Sequence, residues 1–193
     1  MKLSWIPWTN AGPATLAALT LSITFATATQ AQNAETLLAE CNEQLFRQGS
    51  TAGEHPFSEE TLELCERALR ASPEEKELML SLGTAYLRSD REQRGAELIQ
   101  AAVDLDYINA YAALAFLYMS GTGVPTDYQK ARQIARHAAD LGDPHAQNVL
   151  GVLCATGLGA PADRQEAIRW FRLAAEQGHT AAAKHLRRLG VDP

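Results

Sequence analysis

Residues 110–142 read AYAALAFLYMSGTGVPTDYQKARQIARHAADLG, and residues 146–178 read AQNVLGVLCATGLGAPADRQEAIRWFRLAAEQG. The two stretches superimpose at an offset of 36. Gly157 and Gly159 repeat Gly121 and Gly123, Pro161 repeats Pro125, Asp163 repeats Asp127, and Ala167 repeats Ala131. Ala174 and Ala175 repeat Ala138 and Ala139, Gly178 repeats Gly142, and Leu150 repeats Leu114. Two glycines at fixed offsets separate this register from mere alanine richness, and self-similarity at such a period marks a repeat array.

Each unit reads as two helices. In the first, Ala110, Leu114, Leu117 and Tyr118 fall at helical spacing. Gly121, Gly123 and Pro125 then interrupt it, because glycine permits positive φ and proline cannot continue a helix. Asp127 stands where an N-cap is wanted. The second helix is expected to bury Ala131, Ile134, Ala138 and Leu141, with Gly142 closing it. Small side chains let neighbouring helices approach closely, which accounts for the alanine excess.

The pattern A-x-x-x-L-x-x-x-Y-x-x-G-x-G-V-x-x-D-x-x-K-A, followed by A-A-x-x-G, is similar to the Sel-one-like repeat, a relative of the tetratricopeptide repeat. Residues 110–142 carry it as Ala110, Leu114, Tyr118, Gly121, Gly123, Val124, Asp127, Lys130, Ala131, Ala138, Ala139 and Gly142. Residues 146–178 carry it with departures: Cys154 stands for the usual tyrosine, Ala160 for valine and Glu166 for lysine. In the first unit Ile134 stands for tryptophan; in the second, Trp170 keeps that position. The resemblance implies an all-α fold, a short α-solenoid of antiparallel helix pairs (tetratricopeptide-like / Sel-one-like repeats).

Upstream, Leu82, Gly83 and Tyr86 align with Leu114, Ala115 and Tyr118 at an offset of 32, while Ala102 aligns with Ala138 at 36. The four missing residues are the glycine loop, so residues 75–105 read as an ordinary tetratricopeptide-like pair. Downstream, residues 180–189 read as a polar capping helix carrying Lys184, Arg187 and Arg188. The expected organisation is a signal peptide at 1–31, an N-terminal helical hairpin at 32–73 and a tetratricopeptide-like pair at 74–106. Repeats follow at 107–142 and 143–178, then the cap at 179–193.

The signal reading rests on Lys2, the apolar stretch at 14–26 and the small-residue end at Ala26, Ala28 and Ala31. An uncleaved anchor would want about 20 apolar residues, and this stretch is shorter and rich in threonine. Export would place Cys41, Cys65 and Cys154 in an oxidising compartment, periplasmic or secreted. Leu37, Leu38, Cys41, Leu45 and Phe46 recur at helical spacing, as do Leu62, Cys65 and Leu69 after a plausible N-cap at Ser58. If those helices fold back about Gly53, Cys41 and Cys65 lie twelve residues to either side, at one level of the hairpin. A Cys41–Cys65 disulfide is the favoured reading; two buried thiols acting as small hydrophobes is the other.

Chemistry is scarce. The chain has 193 residues with 23 acidic and 17 basic side chains, a formal charge of −6 that disfavours a dedicated nucleic-acid binder. Five histidines and three cysteines show no ligand spacing, so no metal and no cofactor is expected. The glycine loops lack the third glycine and the preceding strand of a dinucleotide cradle. Some cysteine-rich proteins resembling this repeat family have been linked to penicillin binding, but no lysine here has a serine three residues before it. Cys154 falls on a core position and reads as an inert thiol.

What remains is the concave surface that a solenoid presents to partners. Transferring tetratricopeptide concave positions through Leu82, Leu114 and Leu150 gives a stripe of Leu80, Thr84, Leu87, Asn109, Ala112, Phe116, Met119, His145, Asn148, Val152, Lys184 and Arg188. Part of it could equally be core beneath neighbouring helices. Mostly apolar with isolated polar groups, it suits an extended peptide or a partner helix. Residues 32–106 hold 16 acidic and 7 basic side chains and residues 107–193 hold 7 and 9, an asymmetry able to orient a partner. The expected function is an exported, non-enzymatic adaptor or scaffold that binds another protein in the bacterial envelope. A β-lactamase-like hydrolase acting on envelope material is the alternative.

Overall fold

Carboxylates and hydroxyls set where the helices begin. In the computed structural model, Ser58 accepts from the Thr61 backbone N–H at 3.3 Å, Asp127 from Lys130 at 2.9 Å and Asp163 from Glu166 at 2.9 Å. Asp143 does the same for Ala146 at 2.6 Å. Each satisfies an amide that the first helical turn leaves without a partner. The structure describes residues 13–50 and 57–192, with side chains from residue 31 onward. Gly53 and the hairpin tip lie outside the described residues, as do positions 1–12 of the expected signal segment.

Among the described residues the elements are α1 (Pro13–Ser50), α2 (Glu59–Ala71), α3 (Lys76–Leu87), α4 (Glu92–Asp104) and α5 (Ile108–Ser120). They continue with α6 (Tyr128–Asp140), α7 (Pro144–Thr156), α8 (Arg164–Glu176) and α9 (Thr180–Arg188). The fold is all-helical, and consecutive helices pack as antiparallel pairs. α1 passes without a break through Ala31, where the cut was expected, because no glycine or proline lies between Pro13 and Gly49. No helix among the described residues is long and apolar enough to cross a membrane.

Cys41 and Cys65 are bonded, with Cα atoms 5.0 Å apart, and both are fully buried. Leu45, one turn beyond Cys41, shares its buried side. Phe46 does not: it was expected on the apolar face but is 79% exposed, since one residue further rotates it about 100° around the helix. Leu141 is likewise corrected. It is exposed because the helix has already stopped there, and Gly142 (φ +94°) turns the chain away. Ala135 takes the fully buried place, with Ile134 only half-buried beside it.

Two apolar cores form, and α5 belongs to both. Its Ala110, Leu114 and Leu117 join the core built from α1 to α4, while its Tyr111, Ala112 and Ala115 join the one built from α6 to α9. Polar ties cross between pairs: Tyr86 of α3 donates to Glu66 of α2 at 3.1 Å, and Arg94 of α4 donates to the same carboxylate at 2.9 Å.

The repeat glycines explain the period. Gly121 and Gly157 are left-handed caps ending α5 and α7. Gly123 (φ +70°) rests on the first turn of α4, where a Cβ would lie 2.2 Å from the Glu92 carbonyl oxygen. Gly159 (φ +77°) rests in the same way on α6, 2.5 Å from the Tyr128 oxygen. Glu92 and Tyr128 are themselves 36 positions apart, so each loop seats on the equivalent ledge of the preceding pair. At the start of α8, Arg164 donates to the Leu189 carbonyl at 2.6 Å, tying α9 down.

Candidate functional site

The inner faces of α3, α5 and α7 and the start of α9 bound a hollow of about 540 Å³. Phe116 lies on its surface and is 51% exposed, unusual for a large aromatic among small neighbours. Ala112, Ala113 and Val149 surround it, and their small size opens the space. Leu80 and Thr84 form one wall and also line a second hollow of about 520 Å³ that reaches Phe46, Phe57 and Glu77. The two hollows are therefore continuous along the inner face.

Of the stripe read from sequence, Leu80, Thr84, Asn109, Ala112, Phe116, His145 and Asn148 come together in this groove. Leu87, Met119 and Val152 do not. Leu87 turns between α3 and α4 against Gly95, and Met119 and Val152 pack onto the second core. Leu87 and Met119 lie three positions beyond Thr84 and Phe116, at the ends of their helices, whereas Val152 holds the same register as Phe116 but is packed on the second core. Lys184 and Arg188 are exposed outside the groove lining, because α9 contributes to the groove only through its beginning.

His179 lies outside the stripe read from sequence, 34 rather than 36 residues after His145. Its Nε2 lies 3.2 Å from His145 Nδ1, with ring centroids 4.9 Å apart and planes at 81°. His179 Nδ1 accepts from the Ala182 backbone N–H at 3.3 Å. That bond leaves Nε2 to carry the proton of neutral His179 and to donate it to His145 Nδ1, which in turn places the His145 proton on Nε2. Burial and the adjacent His145 ring push His179 below the ordinary histidine range. Asn148 presents a buried Oδ1 without a hydrogen-bond partner, while Asn109 donates to Tyr107 Oη at 3.2 Å.

Away from the groove, Glu166, one of the departures from the repeat pattern, is a polar centre. It receives Arg132 at 2.9 Å, Arg136 and the Trp170 indole at 3.4 Å, tying α6 to α8. Arg136 chiefly, opposed by partial burial, holds its carboxyl down at about 2. A folded value below the unfolded one contributes stability above about pH 4.5, lost as pH falls toward 2. Glu166→Gln should lower unfolding free energy at pH 7 by about 1–3 kcal/mol and flatten that acid limb, read by urea titration at pH 7 and 3. An unchanged acid limb would remove Glu166 from it. Cys154 beside it is fully buried, and burial pushes its thiol up to about 11, which leaves it unreactive at neutral pH. No group of three metal-ligating side chains occurs among the described residues.

Antiparallel helix pairs with a 36-residue period, glycine loops seated on the preceding pair and an apolar inner groove define a helical-repeat solenoid. Residues 108–143 and 144–179 match the Sel1 repeat, so the chain carries two Sel1 repeats over that region. A Sel1 repeat protein from Oxalobacter formigenes matches with 24% identity and a TM-score of 0.60, over 66% of this chain and 51% of that one. A protective antigen present in uropathogenic Escherichia coli strains, displaying an SLR fold, matches with 33% identity and a TM-score of 0.58 over 65% and 27%. The cysteine rich protein B of Helicobacter pylori matches with 22% identity and a TM-score of 0.53 over 65% and 96%. The chain thus spans about half the length of the first structure and about a quarter of the second. No curated protein matches it.

Proposed function

We propose that the protein is a non-catalytic adaptor that holds a protein partner in its inner groove, in an oxidising compartment of the bacterial envelope or outside the cell. The Sel1 repeat is a protein-interaction scaffold. The observation that carries the reading for this chain is Phe116, a half-exposed aromatic lining a hollow that it shares with the small side chains of Ala112, Ala113 and Val149. Such an anchor point gains most when a partner side chain covers it. The Cys41–Cys65 bridge supports the compartment, since disulfides persist where thiols are not kept reduced. Hydrolase chemistry has little to work with in the groove: Thr84 donates its hydroxyl to the Leu80 carbonyl at 2.8 Å and is engaged as a helix-side bond.

Phe116→Glu tests this directly. Capture from envelope extract with wild type, Phe116→Glu and Leu173→Glu should lose the partner only with Phe116→Glu, by tenfold or more. Leu173 is a similarly exposed apolar residue on α8, outside the groove lining, and controls for general stickiness. Equal recovery with all three proteins would overturn the groove as the docking site.

A further inference from the structure

We propose that the groove takes an extended peptide whose carboxylate sits at the His145–His179 end, and that the complex holds one more proton than the separated partners. This rests on the docking reading above and names the chemistry of the occupant.

The groove is charge-polarised along its length. No acidic side chain lines the central hollow, whereas Glu77 lines the far one beside Phe46. At the opposite end stand His145 and His179. The nearby Asp143 carboxylate is buried and committed to the start of α7 through Ala146, so it does not face an occupant. A peptide lying over Phe116 therefore meets acid at one end and imidazole donors at the other.

The hydrogen-bond order of the pair makes it sensitive to a carboxylate. In the neutral state both His179 nitrogens and His145 Nδ1 are engaged, leaving His145 Nε2–H as the remaining donor. A further proton cannot enter without giving up either the His–His bond or the bond from Ala182. A carboxylate at this end offsets that loss by pairing with the imidazolium. The groups felt by His179 are His145 and Asp143 from the start of α7 and His185 of its own helix; α5 contributes uncharged Asn109 to the same hollow. His185 itself is stacked on Phe171 at 4.8 Å, turned away from the groove. Binding then takes up a proton, so affinity rises as pH falls from 7.5 to 5.5 while the ligand carboxylate stays ionised.

The probe is a pair of random nonapeptide libraries, one ending in free carboxylates and one in amides, screened on the full chain at pH 5.5. Preference for the free-acid library assigns a chain terminus; enrichment of Asp and Glu within the amide library assigns a side chain. Selected peptides should bind about tenfold more tightly at pH 5.5 than at 7.5 by fluorescence anisotropy. His145→Gln, which leaves the N-cap of α9 intact, should abolish the pH dependence and the carboxylate preference while keeping the apolar preference. His179→Gln should do the same. Peptides without carboxylate enrichment, or a pH dependence that survives in His145→Gln, would overturn the proposal alone. Failure of Phe116→Glu to weaken the selected peptides, or no selection by wild type, would overturn the docking reading and this proposal with it.

Discussion

Reducing the Cys41–Cys65 bridge lowers the unfolding free energy of the N-terminal hairpin by about 3–4 kcal/mol, the largest single loss expected from any one bond in the chain. The bridge closes a separation of 24 residues, and loop closure of that size restricts the unfolded chain by this amount. The native side does little to compensate. α1 touches α2 and the flank of α3, its Leu37 and Leu38 are only half-buried, and Phe46 contributes nothing to the core. Urea unfolding with and without reductant should separate a reduction-sensitive first transition from an unaffected second one. Cys41→Ala with Cys65→Ala should follow the reduced protein within the cost of two small packing changes. Superimposable curves would show that the bridge adds no stability. Thiol titration of unreduced, denatured protein should find Cys154 alone.

Gly159→Ala comes next, at about 2–5 kcal/mol. Its backbone is left-handed, which costs an L-residue about 1–2 kcal/mol. The added methyl also meets the Tyr128 carbonyl at 2.5 Å, backbone that cannot turn aside. Moving the loop off its ledge separates α7 and α8 from α6 and adds an overpacking cost of about 1–3 kcal/mol. Gly178→Ala is the matched control: its φ is +86°, yet nothing lies within 4 Å of the added atom, so only the backbone cost should appear. Equal losses by urea denaturation for both variants would mean that the ledge contact carries no weight.

The repeat architecture was legible because its determinants are local. An N-cap needs one oxygen three residues ahead of an amide, and Ser58, Asp127 and Asp163 show it in a single reading. A left-handed loop needs glycine, and Gly121 and Gly157 stand where the helices end. The Cys41–Cys65 bond followed from hairpin symmetry, a property of chain counting. What failed was direction at helix ends. Leu141 and Phe46 are apolar, but the turn or the rotation that exposes them is decided by one residue. Val152 left the groove although it shares the register of Phe116, since which residues at one register stay open depends on how closely the adjoining helices approach. His179 and Glu166 needed partners 34 residues or so away, reached only through the stacking of α7 on α9 and α6 on α8. No short-range pattern carries that information.

The ledges bear on how such a chain grows by copying. Glu92, Tyr128 and Arg164 recur every 36 positions, each beginning the outer helix of its pair, and two of the three already carry a glycine loop. At the third, the Arg164 side chain donates to the Leu189 carbonyl. A duplicated unit inserted after Gly178 would thus find its seat formed by residues already in place. One arginine would have to release its carbonyl, and neither the disulfide end nor the two existing loops would need to change. Length in this protein is a quantity that selection can adjust one whole unit at a time, with the groove lengthening in step.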